Sequence, residues 1–400
     1  MKKAIVLGAA MLLAGAAVFA AEEKKGPAVK FSGYFRAGYT FKFYDGDFSS
    51  TSWKGKTEER VNMHVKDADG LWDVNIKSLS SLDGDDKIAG GATVSLSKAL
   101  EKNGLDLNGL SLKFSIGNKT NDAMLRAYDN ASGDDFDKYR LVGDYVTAFT
   151  VGYDKLTVQI ASDPITDNNN NAGVAVSAKY ADSDLGFAVA AGYAHKGAGW
   201  TDDGDVANSE DLTFTSSAKK TNGATMLTDN GLAVSGNVDI AKLIKADKFK
   251  LGAGVAFNYG FGDGKVMSYR GGDTESTFKG DLTTMRLVAD VSGGIDIIDG
   301  FVEYAYEMAD SDDFDMDKSA NQYLKAQANL NFFADKGIGL DVYFKDTDLD
   351  DFSDYWLVGG DVNYKLGGVK YTLKAEAFNV HTASDDKVAF TLSPRVRIDW

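Results

Sequence analysis

Between residues 29 and 44, VKFSGYFRAGYTFKFY, apolar and polar side chains exchange places at nearly every step. Val29, Phe31, Phe35, Ala37, Tyr39, Phe41 and Phe43 take one set of positions, and Lys30, Ser32, Arg36, Thr40 and Lys42 take the other. Side chains of an extended strand point alternately to its two faces, so the segment is a strand with one apolar and one polar face. The same period recurs near 57–67, 71–79, 89–98, 109–117, 139–152, 156–162, 172–180, 185–195, 231–240, 249–260, 281–292, 299–308, 321–333, 338–346, 354–365, 368–379 and 387–400. That makes eighteen segments and an all-β chain. Sixteen is the alternative count, because 89–98 and 139–152 alternate weakly, while 210–219 is either a further strand or part of a long loop.

Short and long connections alternate between these segments. Tight turns stand near 67–70, 153–155, 182–184, 334–337 and 366–367, and longer polar stretches at 45–56, 118–138, 196–230, 261–280 and 309–320. A transmembrane antiparallel β-barrel with short periplasmic turns and long extracellular loops has this rhythm. A β-sandwich would also alternate, but its core is about 10 Å thick and makes little use of so many long strands. A tilted strand of ~9–11 residues is what a bilayer requires. Only three prolines interrupt the chain, as expected where every amide must be paired.

The amino terminus supplies a compartment. Lys2 and Lys3 precede an apolar run to Ala20, with small residues placed for cleavage before Ala21, the form of a secretory signal peptide over residues 1–20. Residues 21–28 then form a short periplasmic segment, and 29–400 a single barrel domain without a linker. The chain has no cysteine, which excludes disulfides, thiol chemistry and a lipid-modified cysteine. Its net charge of −16 at pH 7 disfavours nucleic acid as a partner, since phosphate binding needs a cationic surface.

The chain ends on VAFTLSPRVRIDW, in which Phe390, Leu392, Val396, Ile398 and Trp400 alternate with polar residues up to the last position. In this the chain resembles a Gram-negative-type outer-membrane porin of the general porin-like β-barrel family. The resemblance implies that Phe390, Val396, Ile398 and Trp400 form a membrane-interface and assembly signal read by the outer-membrane insertion machinery. It also implies a homotrimer as a possible assembly, with Gly33 and Ala37 on the outward face allowing close approach. Pro394 departs from the pattern. It cannot donate to the ladder and predicts a bulge or local break there.

The lumen is where function is expected. The alternation turns Arg36, Arg60, Lys66, Lys77, Arg286, Arg395 and Arg397 inward, with Asp73, Asp290, Asp341 and Asp361 as acidic counterparts. Closing the first strand on the last brings Arg36 beside Arg395 and Arg397, which with Arg60 form a basic pore wall. Segment 185–195 carries Gly186, Ala188, Ala190, Gly192 and Ala194 on its inner face, and the missing side chains leave space that another segment fills. The stretch 118–138 is the candidate, resembling the inward-folded third loop of porins in order and length. Asp134, Asp135 and Asp137 would then form an acidic pore constriction opposite the arginines, a transverse field that sorts solutes by charge and dipole.

Other chemistry is sparse. His64, His195 and His381 are scattered, with no nucleophile and acid marked beside them, so no enzyme is expected. The stretch GFGDGK at 260–265 lacks the spacing of a phosphate loop, reads as a flexible outer loop, and implies no cofactor. Two acidic stretches, with Asp313, Asp315 and Asp317 in one and Asp346, Asp348 and Asp350 in the other, are weak candidates for divalent cations; a solvated acidic loop is the plainer reading. The expected function is a water-filled channel for passive diffusion of small hydrophilic solutes and ions, set in outer-membrane lipid. A substrate-specific channel, for sugars for example, and a surface adhesin or structural barrel are the alternatives.

Overall fold

The computed structural model describes residues 26–44, 47–52, 58–81, 87–118, 125–128, 145–163, 173–195, 223–270, 273–310, 319–333, 338–346, 356–382 and 385–400. Residues 1–20, expected as a signal peptide, and 210–219, expected as a strand or part of a loop, lie outside these residues. In chain order the strands are β1 (Ala28–Tyr44), β2 (Asp47–Ser52), β3 (Glu58–Lys66), β4 (Trp72–Ser81), β5 (Lys87–Ser95), β6 (Ser111–Asn118) and β7 (Tyr145–Tyr153). Then come β8 (Leu156–Asp163), β9 (Gly173–Asp182), β10 (Phe187–His195), β11 (Gly223–Asp239), β12 (Phe249–Arg270), β13 (Asp273–Asp281) and β14 (Thr283–Ile295). The series ends with β15 (Ile298–Asp310), β16 (Ser319–Phe333), β17 (Ile338–Asp346), β18 (Trp356–Leu366), β19 (Val369–Thr382) and β20 (Asp385–Asp399).

These strands make an eighteen-stave antiparallel barrel. β2 and β3 share one edge of β1, pairing with its upper and lower parts, and β13 and β14 share β12 in the same way. Each of the eighteen alternating segments corresponds to one stave, so the count of sixteen is corrected. The barrel closes where β1 meets β20, from Tyr34 opposite Asp399 to Phe43 opposite Phe390. Among the described residues closure pairs each of the eighteen staves on both sides, where hydrocarbon would penalise an exposed amide by several kcal/mol, and only the extensions β2 and β13 pair on one side.

The two faces follow from the period. In β8 and β9, Ile160 and Val176 are 50% and 45% exposed outward, while their neighbours Gln159 and Ser177 are 6% and 2% exposed on the inner face. A soluble sheet buries its apolar face; here it is the apolar face that is bare, which suits contact with lipid tails. Aromatic pairs lie near the short-turn end, Tyr364 stacked on Tyr371 and Tyr180 tilted against Phe187.

Three of the stretches read as long loops are partly strand. Residues 47–52, 223–230, 261–270 and 273–280 continue their ladders. A strand that runs beyond the lipid has no apolar face to record, so these sequences lack the two-residue period while their backbones keep the ladder. GFGDGK is therefore part of β12 rather than a flexible loop. Gly262 there has φ +95°, opposite a register shift at Thr228 and Asn230. A Cβ on Gly260 would lie 2.4 Å from Thr284 Oγ1 and 2.5 Å from Thr228 Oγ1, so glycine is what lets the strands meet there.

At the opposite end, two short helices replace strand ends expected at 98 and 240. Leu96–Lys102 is capped by Ser95, whose Oγ accepts from Lys98 N, and Ile240–Leu243 by Asp239, which accepts from Lys242 N. Ser and Asp at these positions satisfy amides a strand would have paired, so each cap ends its strand.

Candidate channel lumen

The inner face of β1 carries Tyr34, Arg36, Thr40, Lys42 and Tyr44. Directly opposed residues of an antiparallel ladder share a face, and the closing ladder sets Arg36 against Arg397. On the other side of β1, Arg60 of β3 stands opposite Tyr34. Three guanidiniums consequently gather on one ring: Arg397, Arg60 and Arg36 lie 4.3, 5.2 and 5.3 Å from the centroid of Tyr34. A ring face attracts each cation by ~0.5–2 kcal/mol, offsetting part of their mutual repulsion. Arg397 also donates through Nε and a terminal nitrogen to Asp399 Oδ1, both at 2.7 Å.

Arg395 reaches the same wall by a different device. Gly38 stands opposite it, and a Cβ at Gly38 would lie 2.7 Å from the Pro394 carbonyl oxygen and 3.1 Å from Arg395 Cγ. The ladder lacks the pairs of Tyr39 and Thr40 with Pro394 and Ser393, then resumes at Phe41 and Leu392 in the same register. Pro394 thus makes a local break without a bulge, and Thr40 and Ser393 join through their hydroxyls at 3.0 Å instead. Six residues beyond Arg36, or about 20 Å along the strand, Lys42 sits over the rings of Tyr44 and Phe378, at 5.2 and 6.0 Å. A basic strip thus runs up the seam, ending beside the Lys374–Glu376 pair at 2.5 Å.

The wall across the lumen is different. β11 is nine staves from β1 by either route, and against it rest residues 125–128 of the stretch expected to fold inward. Leu125 N donates to Ser177 Oγ at 2.9 Å and Ala127 N to Ser235 Oγ at 2.8 Å, while the Tyr128 hydroxyl donates to Asp290. Ala127 packs on Ala188 and Ala190, and the Tyr128 ring on Ala256, Val288 and Ala305. A Cβ at Gly254 would lie 2.0 Å from that ring, so the ring occupies space that only glycine leaves. Asp134, Asp135 and Asp137 lie outside the described residues, as do Asp313, Asp315, Asp317, Asp348 and Asp350; Asp346 is the last residue of β17. Among the described residues no group of three or more His, Asp or Glu side chains is placed to hold a metal ion.

Of the remaining inward candidates, Arg286 and Asp290 are buried on the inner face of β14, Asp361 takes the hydrogen bond of Asn363, and His64 approaches Asp73 at 3.8 Å. The last strand places Phe390 and Ile398 outward, exposed and opposite Phe43 and Phe35, and Val396 opposite Ala37. Trp400 exchanges backbone hydrogen bonds with Gly33 at 3.0 and 3.1 Å. Its indole lies against Gly33, whose missing Cβ leaves room for the ring. Sequence reasoning missed Tyr34 as the hub of the basic wall. Its signal was available, since Tyr34 shares the period of Arg36 and is the large ring on that face.

No protein-family model matches the chain, and no curated protein matches it either. Solved structures do. A BenF-like porin from Pseudomonas fluorescens Pf-5 superposes with a TM-score of 0.51 at 11% identity, covering 93% of this chain and 99% of that one. Pseudomonas aeruginosa OccK2 (OpdF) superposes with a TM-score of 0.50 at 10% identity, over 93% and 98%. At such identities the likeness is one of fold: the chain is a porin-like β-barrel.

Proposed function

We propose that the chain forms a water-filled channel in the outer membrane through which small hydrophilic solutes and ions diffuse down their gradients. The observation that carries this reading is the two-sided lumen: guanidiniums gathered on Tyr34 at the seam, and a polypeptide segment docked on the wall nine staves away. Barrels of ~16–18 strands are wide enough for an aqueous passage, and a segment held inside narrows it without closing the sheet. In this reading Arg36, Arg60, Arg395 and Arg397 are pore-wall residues, and Asp134, Asp135 and Asp137 continue the docked segment as its acidic constriction.

Lipid covers the outward belt, and the insertion machinery reads the strand that ends at Trp400. A homotrimer would use a face other than the one at Gly33, which Trp400 fills. The test is the purified chain in a planar bilayer, with reversal potentials measured in a salt gradient. Stepwise ohmic conductance is expected; a barrel that inserts but carries no current would be structural, and the proposal would fall.

A further inference from the structure

Below the docked segment, toward the short turns, the inner wall from β10 to β16 is hollowed into a recess of about 960 Å³. Its cause is the trimming of side chains. Ala188, Gly252 and Ser292 leave the sheet almost bare, and a Cβ at Gly252 would meet nothing closer than the Val238 carbonyl oxygen at 3.3 Å and Ser292 Oγ at 3.6 Å. Tyr128 roofs the recess, having filled the adjoining gap at Gly254, and the Phe301 ring stands in its side wall. Lys325 sits 5.7 Å from the centroid of that ring.

The polar groups of this wall are already joined to one another. Gln327 Nε2 donates to Asn329 Oδ1 at 2.7 Å, Asn329 Nδ2 to Asp299 Oδ1 at 2.6 Å, and Asn331 Nδ2 to Asp299 Oδ2 at 3.3 Å. Asp290, on the same wall, accepts from Tyr128. Gln327, Asn329, Asp299 and Asp290 are therefore fixed in orientation before a ligand arrives, which lowers the cost of ordering on binding. The basic residues of the lining, Lys242 and Lys250, stand at its short-turn rim, and Lys242 Nζ donates to the Ser183 carbonyl there.

We infer that this recess binds a neutral polyhydroxylated solute of one or two sugar rings. The inference rests on the open-channel reading and names a solute for it. Hydroxyl groups donate to Asp299 and Asp290 and accept from the amide N–H groups, and the C–H face of a pyranose covers the Phe301 ring. An anion would meet four carboxylates, Asp182, Asp239, Asp290 and Asp299, against the two rim lysines Lys242 and Lys250. A compact metal cation would meet amide donors as well as acceptors and leave the aromatic side wall unused. The volume admits several rings' worth of atoms, within the ~300–1,000 Å³ range of small-molecule sites.

The test uses the detergent-purified full chain and two readouts. Maltose is titrated by calorimetry, which needs no conduction, and is then added to the short-turn side of a single channel in a planar bilayer. Saturable heat and concentration-dependent block of the current are expected. An amino sugar and a sugar acid of matching size are expected to bind at least tenfold more weakly. Asn329→Ala and Phe301→Ala are each expected to weaken maltose about tenfold, equivalent to ~1.4 kcal/mol, while Thr93→Ala, on β5 where its hydroxyl meets that of Ser115, leaves it unchanged. Should Phe301→Ala not fold, Asn329→Ala and the wild-type titration decide alone. Conduction without maltose heat, or maltose affinity indifferent to the recess substitutions, overturns the inference and leaves the channel standing. Heat without conduction overturns the channel reading and leaves the site.

Discussion

Arg36 and Arg397 stand opposite each other across the seam where the first strand closes on the last, with both guanidiniums over the ring of Tyr34. Like charges directly opposed across a ladder are destabilising. Their persistence at the closing joint is explained by the ring between them, by Asp399 beside Arg397 and by water in the lumen. A unit charge at about 4 Å in water is worth ~1 kcal/mol, or about fivefold in local anion concentration. Replacing Arg36, Arg60 and Arg397 together by Gln is therefore expected to move the reversal potential in a salt gradient several-fold toward cations. An unchanged potential would show that ions pass without sensing the seam.

Tyr128 holds the docked segment by its hydroxyl on Asp290 and by its ring over Gly254. In Tyr128→Phe the carboxylate loses a donor on a wall where water has limited access, at a cost of about 1–3 kcal/mol. The backbone bonds of Leu125 and Ala127 remain, so the segment loosens rather than leaves. Single-channel recordings are expected to show more frequent current fluctuations at the same mean conductance. Gly254→Ala displaces the ring directly and is expected to do the same; two quiet channels would mean that the segment is held elsewhere.

The inversion of the sheet gives a prediction from adjacent residues. Ile160 faces outward and Gln159 inward on the same strand. A lysine on the lipid face costs ~2–4 kcal/mol near the bilayer midplane, whereas one on the inner face can extend its ammonium along the wall toward lumenal water. Ile160→Lys is expected to lose most of that amount in denaturant unfolding from liposomes, and Gln159→Lys much less. Equal losses would contradict the assignment of faces in β8.

Outside the membrane, Asp69 in the turn after β3 accepts a hydrogen bond from Lys102 at the end of the helix Leu96–Lys102. That bond, with the charge of Lys102, holds the Asp69 carboxyl below its ordinary value, and Asp69 in turn holds the Lys102 ammonium above its own. A lowered carboxylate contributes above its unfolded value and loses the contribution as pH falls through its folded one. Acidification is thus expected to lower the amide-exchange protection of this helix and of the 67–70 turn relative to the intrinsic rate at each pH, and Asp69→Asn to abolish that pH dependence. The same acid response in the variant would assign it to another group.

The staves were legible because hydrocarbon and water lie on opposite sides of a single sheet, and each strand from 29–44 to 387–400 writes both solvents at alternate positions. Beyond the lipid the record stops, which is why 47–52, 261–270 and 273–280 read as loops although their ladders continue. Arg36, Arg60 and Arg397 were legible as inward residues one strand at a time. Their gathering on Tyr34 was not, because it depends on the register across β20, β1 and β3, and register is a relation between strands. The docking of 125–128 was visible only as a deficit, in the small residues Ala188 and Ala190. The chain signalled that something fills the space, and the bonds to Ser177, Ser235 and Asp290 show what does.

Closure itself depends on Gly33. Its two backbone hydrogen bonds with Trp400 are the last rungs of the seam, and a Cβ there would lie 2.2 Å from the Arg60 carbonyl oxygen and 2.7 Å from the indole. The indole is a side chain and can swing away; the Arg60 carbonyl belongs to the ladder with β3 and cannot move without breaking it. Gly33→Ala is therefore expected to destabilise the closed barrel by about 1–3 kcal/mol, the range for overpacking a tight site. The effect is read as a lower temperature for the shift between folded and unfolded bands in gel electrophoresis. Trp400→Ala in the same background is expected to restore only part of the loss, since it removes one obstruction of the two. Full restoration would show that the indole alone sets the need for glycine, and no loss in Gly33→Ala would show that the seam closes without the fit described.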